Sequence, residues 1–262
     1  MRLGIDCGGT KTEACVFQND KVIDHYFIPK SATQKTLFLM IKNIISKYNV
    51  SSIGIGFPAP INNGKVTRVN NIPEWNNTNI EKTIYDRFGI PCKVENDANC
   101  FALAEALEPE NSTYKTIVGI TLGTGLGVGI IRNKKILKGS TGAAGELCRI
   151  PYEKGILEDY IGKRFFKKEA VEVFRDAELG KKEAIKKVKE YSKHLGKMLS
   201  IITLTIEPRL IIFGGNISRS FHLFEADMKK ELKRHIYSQT YDQLVIKTSG
   251  LTHAACRGAA LL

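Results

Sequence analysis

The sequence lacks a long apolar run and any low-complexity tract. No stretch approaches the roughly 18 apolar residues that span a bilayer. Because Met1-Arg2-Leu3 leads directly into the first predicted strand, we expect no signal peptide. Hydrophobic residues make up 43% of the 262 residues, which is enough for the core of one large domain or two lobes. The composition therefore argues against a membrane partner and predicts a cytoplasmic globular protein.

Closely spaced cysteine pairs are also missing. The six cysteines are scattered, mostly in apolar contexts, and no histidine stands near them at the spacing of a metal ligand. We therefore predict reduced, buried thiols rather than disulfides or zinc ligands. The cysteines are Cys7, Cys15, Cys92, Cys100, Cys148 and Cys256.

Acidic residues are fewer than basic ones, 27 against 39, so the net charge is +12. Such a charge could indicate nucleic-acid binding, but the lysines are dispersed, and the concentration at Lys181–Lys197 is typical of a solvated helix face. The chain has no helix-turn-helix, zinc finger or basic-aromatic module. We predict no nucleic-acid partner, and a positive field suits an anionic cosubstrate such as ATP.

The GxxxxGK[ST] nucleotide loop is absent, but Gly4–Thr12, reading GIDCGGTKT, forms a different phosphate-type turn. Asp6 ends an apolar strand and suits magnesium, through water. Two glycines follow, and a hydroxyl and a cation complete the turn. An ordinary tight turn with positive-φ glycines is the alternative. The turn residues are Gly8, Gly9, Thr10 and Lys11.

A second turn of this kind lies in Gly119–Gly129, between apolar strands at Thr116–Leu122 and Leu126–Arg132. Gly123, Thr124 and Gly125 form its corner and suit phosphate oxygens. Two such hairpins predict two lobes that hold one triphosphate.

The order of predicted elements indicates an α/β fold in which each lobe is a mixed β-sheet flanked by helices. We place the first lobe at residues 1–112 and the second at 113–252, with the C-terminal helix at 253–262 returning to the first. The second lobe is predicted to contain one helix at about Asp159–Ala177 and another at Lys182–Ile206.

Asp97 stands between a strand end and a helix start in the segment VENDAN. Open α/β sheets bind their ligands at this place, and backbone amides there favour an ionised carboxylate. We predict that Asp97 is the general base of a phosphoryl transfer. The alternatives are that Asp97 only caps its helix and that Glu95 is an exposed strand-end charge.

Two glutamates and the single tryptophan are candidates for contact with a polyol. Glu146 follows the flexible run Gly142–Gly145, and Glu158 follows a shorter glycine segment. Each could equally be a surface carboxylate. Trp75, four residues after Asn71, is predicted to be either a core anchor or a platform for a sugar ring.

Taken together, these segments resemble the ROK family of repressors and sugar kinases, within the actin-like ATPase superfamily, over nearly the full length. The resemblance implies two actin-like (ribonuclease H-like) lobes with an interlobe cleft. The matching motifs are DxGGTK at Asp6–Lys11, the proline loop at Gly56–Pro60, Trp75, ENDAN at Glu95–Asn99, GTGxGxG at Gly123–Gly129, GAAGE at Gly142–Glu146 and Gly214-Gly215.

The resemblance implies ATP- and magnesium-dependent phosphorylation of a hexose or N-acylhexosamine hydroxyl, with O6 expected, by a homodimer. Asp97 takes the proton, and the glycines after the strand at Leu210 lie on the adenosine side. The predicted sugar-binding set is Asn71, Asn96, Asp97, Glu146, Arg149 and Glu158. The predicted nucleotide-binding set is Asp6, Gly8, Gly9, Thr10, Lys11, Gly123, Thr124, Gly125, Gly214, Gly215 and Asn216.

One departure from the family pattern concerns zinc and sugar. Many members carry a histidine three residues after the glutamate of GAAGE and then a zinc-binding cysteine cluster, whereas this chain has Arg149 and no such cluster. We therefore expect no structural zinc. Arg149 leaves the identity of the sugar open and could favour an anionic or unusual ligand.

Two further classes remain as alternatives. One is a catalytically silent sugar- or nucleotide-binding regulator. A DNA-binding repressor is disfavoured because the chain starts at its first strand. The other is an actin-like ATPase that activates a partner enzyme, against which the ENDAN and GTGxGxG segments argue. The presence of Asp97, both turns and both glutamates favours the kinase.

Overall fold

The computed structural model of the protein describes residues 1–67, 69, 72–167 and 169–262. The described elements up to residue 112 alternate between strands and helices. In chain order they are β1 (Arg2–Cys7), β2 (Thr12–Gln18), β3 (Lys21–Ile28), α1 (Gln34–Ile45), β4 (Ser52–Phe57), β5 (Ile61–Asn62), β6 (Lys65–Val66), α2 (Ile80–Phe88), β7 (Cys92–Asn96) and α3 (Asp97–Leu107).

The remaining elements again combine strands and helices. They are β8 (Thr116–Leu122), β9 (Leu126–Arg132), β10 (Lys135–Ile136), β11 (Pro151–Tyr152), β12 (Gly155–Ile156), α4 (Leu157–Ile161), α5 (Ala170–Glu178), α6 (Lys182–Ile206), β13 (Leu210–Gly214), α7 (Phe221–Lys233), α8 (Ser238–Gln243), β14 (Val245–Thr248) and α9 (Ala254–Ala260).

Two helices of the first unit have ends of the kind that local sequence signals predict. Thr33 caps α1 by accepting a hydrogen bond from the Thr36 amide, and the buried side chains of this helix recur every three or four residues. Gly89 ends α2 in the left-handed conformation, at φ +68°. The single helix predicted at 159–177 is wrong, because a short 3₁₀ segment and Lys167, at φ +57°, separate α4 from α5.

Two five-stranded mixed sheets organise the chain, as the fold prediction requires. The first has the order β3-β2-β1-β4-β7, in which β1, β4 and β7 are parallel and β2 and β3 are antiparallel additions. The second has the order β10-β9-β8-β13-β14, in which β8, β13 and β14 are parallel. Parallel strands end at one edge of a sheet, so each sheet brings several loop starts together.

The chain divides into two compact units. One comprises Met1–Ser112, Gly129–Ala144 and Leu251–Leu262, and the other comprises Thr113–Val128 and Gly145–Gly250. The division into lobes at residues 112 and 252 stays a prediction. Among the described residues, no helix combines the length and the apolar character needed to cross a bilayer.

Helix α9 packs closely against the first sheet. A Cβ atom on Gly4 would lie 1.9 Å from the Cys256 carbonyl oxygen, and one on Gly54 would lie 1.7 Å from the Ala259 carbonyl oxygen. Both glycines are therefore required by the approach of the helix backbone rather than by a turn.

Candidate functional site

The carboxyl ends of three parallel strands assemble the acidic residues of the first unit. In the strand register, Asp6 on β1 stands beside Gly56 on β4, and Gly56 stands beside Glu95 on β7. Asp97 follows directly as the first residue of α3. A Cβ atom on Gly56 would lie 3.4 Å from the Asp97 Cα atom, so the small residue lets the start of the helix approach the sheet.

Asn96, and not Asp97, caps α3. The Asn96 Oδ1 atom accepts hydrogen bonds from the Ala98 amide at 2.9 Å and the Asn99 amide at 3.1 Å. Asp97 Oδ1 accepts from the Ala98 amide at 2.8 Å. The alternative in which Asp97 serves only as the cap is therefore wrong, because β7 runs to Asn96 and this residue caps the helix.

Glu95 is buried, which contradicts its interpretation as an exposed strand-end charge. Its side chain has no exposed surface, and its Oε2 atom lies 2.6 Å from Lys138 Nζ. Oε1 accepts from the Asn96 amide at 2.9 Å and from Asn99 Nδ2 at 3.0 Å. A buried charge that is paired and hydrogen-bonded in this way rigidifies the backbone that carries Asp97.

Asp6 has a strongly perturbed acidity. Burial, followed by repulsion from Asp97 and Glu13, raises the pKa of Asp6 from 3.8 to about 7, although Lys11 opposes the shift. Clustered carboxylates disfavour one another's ionisation and attract a hard cation. A shifted carboxyl beside a phosphate-type turn is also typical of a functional site.

The first glycine turn, residues 8–11, connects β1 to β2. Gly8 and Gly9 are half-buried and are not among the residues with left-handed φ, so a positive-φ turn does not explain them. Thr10 and Lys11 are exposed. Lys11 forms an ion pair with Glu13, in which Nζ lies 2.5 Å from Oε1. Burial alone would raise the pKa of Glu13, but hydrogen bonds from Lys11 and His253 lower it overall.

The second unit brings its two predicted nucleotide segments to one sheet edge. Gly214 on β13 stands beside Thr121 on β8 in the register, immediately before the second glycine turn. Gly215 has φ +86°, and a Cβ atom there would lie 2.2 Å from the Leu122 carbonyl oxygen. Only glycine fits at this position. The contact places the segment Gly214–Asn216 against Leu122, the residue before the turn Gly123–Gly125.

Glu158 contacts the second turn. Its Oε1 atom accepts a hydrogen bond from the Leu126 amide at 3.1 Å, and a Cβ atom on Gly125 would lie 2.4 Å from the same oxygen. The Thr124 carbonyl oxygen accepts from the Lys163 amide at 3.3 Å. The backbone amide of Leu126 thus fixes the orientation of the Glu158 side chain, and its Oε2 atom can accept further hydrogen bonds.

Glu146 directly precedes a short 3₁₀ segment of the second unit, Leu147–Arg149, and Arg149 ends it. Gly145, at φ +94°, brings the preceding backbone against the Val128 carbonyl oxygen, where a Cβ atom would lie at 2.4 Å. Glu146 is half-buried, and its Oε2 atom accepts from the Cys148 thiol at 3.4 Å. Burial and this glutamate raise the pKa of Cys148 to about 12, so the thiol stays protonated. Arg149 is exposed.

Trp75 is a core residue, and this settles the choice between core anchor and sugar platform. It has no exposed surface, its indole nitrogen donates to the Ala32 carbonyl oxygen at 3.2 Å, and its ring meets Phe38 and Phe57 edge-on. Asn71, predicted to bind sugar, lies outside the described residues.

The sequence analysis assigned no role to three residues around the acidic group: Lys138, Asn99 and Glu13. Lys138 pairs with Glu95 across 43 residues of sequence, a separation that no local pattern reveals. Glu13 could have been found from the sequence, because pairing the two strands of the predicted first hairpin places it opposite Asp6.

Comparison with known proteins gives a consistent result over the whole chain. The model of the ROK family matches residues 2–157 and 152–262. An N-acetyl-D-glucosamine kinase of Mannheimia succiniciproducens is 31% identical over 306 aligned residues, covering 100% of this chain and 99% of the relative. The corresponding kinase of Histophilus somni is 30% identical over 306 residues, with 100% and 98% covered.

Solved structures share the fold. A ROK family glucokinase of Streptomyces griseus, in complex with glucose and AMPPNP, superimposes with a TM-score of 0.85 at 23% identity, covering 99% of this chain and 97% of the other. The ROK hexokinase of Thermus thermophilus gives a TM-score of 0.81 at 23% identity, with 99% and 96% covered.

Proposed function

Because the chain belongs to the ROK family, we propose that it transfers the γ-phosphoryl group of ATP to the O6 hydroxyl of an N-acylhexosamine or hexose, with Asp97 as general base. Its full-length similarity to curated sugar kinases shows that the chain is a sugar kinase. The single observation that carries the proposal is the strand-end row of Asp6, Glu95 and Asp97 beside a glycine turn. The relatives named N-acetyl-D-glucosamine kinase make N-acetyl-D-glucosamine the first sugar to test.

Asp97 is suited to proton transfer by its position. As the first residue of α3 it lies in the positive end of the helix dipole, which favours the carboxylate form. As the sugar oxygen bonds to the γ-phosphorus and the bond to the ADP oxygen breaks, Asp97 accepts the hydroxyl proton. The buried Glu95 network holds the backbone of this segment in place, so Asp97 keeps its orientation.

Asn96 is a sugar-binding candidate in the same segment. Its Oδ1 atom caps α3, so Nδ2 is the atom that would donate to a sugar hydroxyl. Glu146 and Glu158 are candidate acceptors in the second unit, and the exposed guanidinium of Arg149 is a candidate for specificity. Asn71 is a further sugar-binding candidate from its place in the sequence.

Magnesium fits the acidic residues of the first unit. Asp6 offers a hard oxygen ligand, and the neighbouring Asp97 and Glu13 increase the negative potential. Asp6 would hold the ion through water, and the bound ion would neutralise charge on the β- and γ-phosphates. A homodimer and the absence of a nucleic-acid partner stay predictions.

The proposal is tested by measuring ADP release with N-acetyl-D-glucosamine, N-acetylmannosamine and glucose, and by locating the phosphate on the product by NMR. We expect sugar-dependent turnover, at least about tenfold better kcat/KM for N-acetyl-D-glucosamine, and phosphate on O6. ADP release that needs no sugar would overturn the kinase assignment. Sugars that raise the Tm without turnover would instead support the silent regulator.

Gly123→Ala tests the nucleotide assignment of the second turn. The added methyl group meets no atom within 4 Å and φ at this position is not left-handed, so we expect the Tm to change little. A methyl group that displaces one phosphate contact should raise the KM for ATP about tenfold, since 1.4 kcal/mol corresponds to that factor. Steady-state kinetics at saturating sugar measures the effect.

Gly250→Ala is the matched control, because a Cβ atom there also meets nothing within 4 Å. We expect unchanged KM values for this variant. An unchanged ATP KM in Gly123→Ala would remove the turn from the nucleotide site.

A further inference from the structure

A second group of metal-ligating side chains lies on the face of the β2–β3 hairpin that α9 covers. Cys15 on β2 and His25 on β3 stand directly opposite each other in the antiparallel register. Directly opposed residues project from the same face of a sheet, with Cβ atoms about 5 Å apart. Cys15 is buried and His25 is exposed, so the pair runs from the interior to the surface.

The start of α9 supplies a third ligand. His253 precedes α9 and has φ +52°, a left-handed conformation that non-glycine residues rarely adopt. Such a conformation persists where the surrounding structure stabilises it. The rings of His253 and His25 have centroids 4.3 Å apart. Cys256, three residues later, makes a side-chain hydrogen bond with Cys15.

The donor atoms of Cys15, His25 and His253 all lie within 4.8 Å of one another, and among the described residues no other group of this kind occurs. One thiolate and two imidazoles suit zinc, which binds sulfur at about 2.3 Å and nitrogen at about 2.0–2.1 Å. We propose that Cys15, His25 and His253 bind a zinc ion that fastens α9 to the β2–β3 hairpin.

Glu13 contacts one of the three proposed ligands, His253. Its Oε2 atom lies 3.3 Å from His253 Nδ1. If Nδ1 carries the proton and donates a hydrogen bond to this carboxylate, the lone pair on Nε2 is free to bind the metal ion. Histidine ligands of zinc are commonly oriented by a carboxylate in this way. Glu13 also pairs with Lys11 of the first glycine turn. Glu13 therefore connects the proposed metal site, through His253, with the phosphate turn, through Lys11.

This site is distinct from the zinc cluster of the family pattern, which would follow Glu146. None of its three ligands belongs to the proposed sugar or nucleotide sets. The ligands are separated by about 230 residues of sequence, so a bound ion would close a long loop and stabilise the C-terminal helix.

Cobalt titration of the full chain, stripped with a chelator and kept reduced, tests the proposal. We expect one Co²⁺ per chain, a thiolate-to-cobalt charge-transfer band, and displacement by Zn²⁺. Cys15→Ser should abolish the band. His25→Ala, at an exposed position that leaves folding intact, should weaken binding at least about tenfold. Zinc at about one hundred times its Kd should raise the Tm on the order of 5 °C.

Cys148→Ser and His235→Ala are the controls, because they remove a thiol and an imidazole outside the group. Both should bind cobalt as the parent does. Absence of the band in the parent, or its persistence in Cys15→Ser, would overturn the proposal. Equal affinity in the parent and in folded His25→Ala would do the same.

Discussion

Replacing Asp97 with asparagine should lower kcat about one hundred- to ten thousand-fold, the range for removing a general base. The structure explains why the fold should survive. Asn96 caps α3, and the asparagine oxygen at position 97 can still accept from the Ala98 amide, which lies 2.8 Å from Asp97 Oδ1. The KM for ATP should change little, because the proposed role of Asp97 is proton transfer and not nucleotide binding.

The measurement is steady-state kinetics together with ATP binding by calorimetry. Asp86→Asn is the matched control: Asp86 lies on α2, is exposed and pairs only with Lys82 in the contacts described, at 2.6 Å. Exposed pairs contribute little, so its kcat should stay within about twofold of the parent. An Asp97→Asn enzyme that keeps a tenth or more of the parent kcat would exclude Asp97 as the base.

The second glycine hairpin and the long helix could be predicted from the sequence because their signals are local. The segments 116–122 and 126–132 are apolar runs around a glycine corner, and β8 and β9 have these bounds. The helix Lys182–Ile206 is likewise continuous in pattern and in structure. In each case, periodicity and turn residues lie within one element.

The cap of α3 could not be decided locally. Asn96 and Asp97 are both favoured cap residues, and only the pairing of Asn96 with Phe57 on β4 shows that the strand includes Asn96. Glu95 is buried for the same kind of reason: its partner Lys138 comes from a distant loop. Tertiary contacts thus determine which of the three consecutive polar residues caps the helix and which is buried, and they leave Asp97 as the proposed base.

The group of Cys15, His25 and His253 escapes sequence analysis altogether. The cysteine and the histidines are too far apart in sequence to match any metal motif. Cross-strand register brings the first two together, and the return of α9 to the first sheet brings the third. The sequence analysis predicts buried thiols, and Cys15 is buried. That prediction does not show that two histidines lie beside its sulfur.

Asp6→Asn should stabilise the ligand-free protein while lowering its activity. The pKa of Asp6 is raised from 3.8 to about 7 by burial and by repulsion from Asp97 and Glu13. As pH rises from about 4 to 7, the unfolded chain loses this proton and the folded protein retains it. The unfolded state then binds fewer protons, so stability falls through this window and stays low above it.

A shift of this size corresponds to about 2–4 kcal/mol, at 1.36 kcal/mol per pKa unit and allowing for the partial exposure of Asp6. The neutral asparagine lacks this penalty. The gain in the free energy of unfolding should therefore be near zero at about pH 4 and reach its full value above pH 7. Urea denaturation of parent and variant across this range measures it, with Asp86→Asn as the control.

The same substitution should lower kcat about ten- to one hundred-fold, which is the range for losing a group that holds a metal ion through one of the ion's own ligands, here a water molecule. It should also raise the magnesium concentration needed for half-maximal activity. Repulsion among Asp6, Asp97 and Glu13 is thus expected to destabilise the empty site and to be relieved by the cation. An Asp6→Asn protein with parental stability at pH 8, or with parental magnesium dependence, would contradict this account.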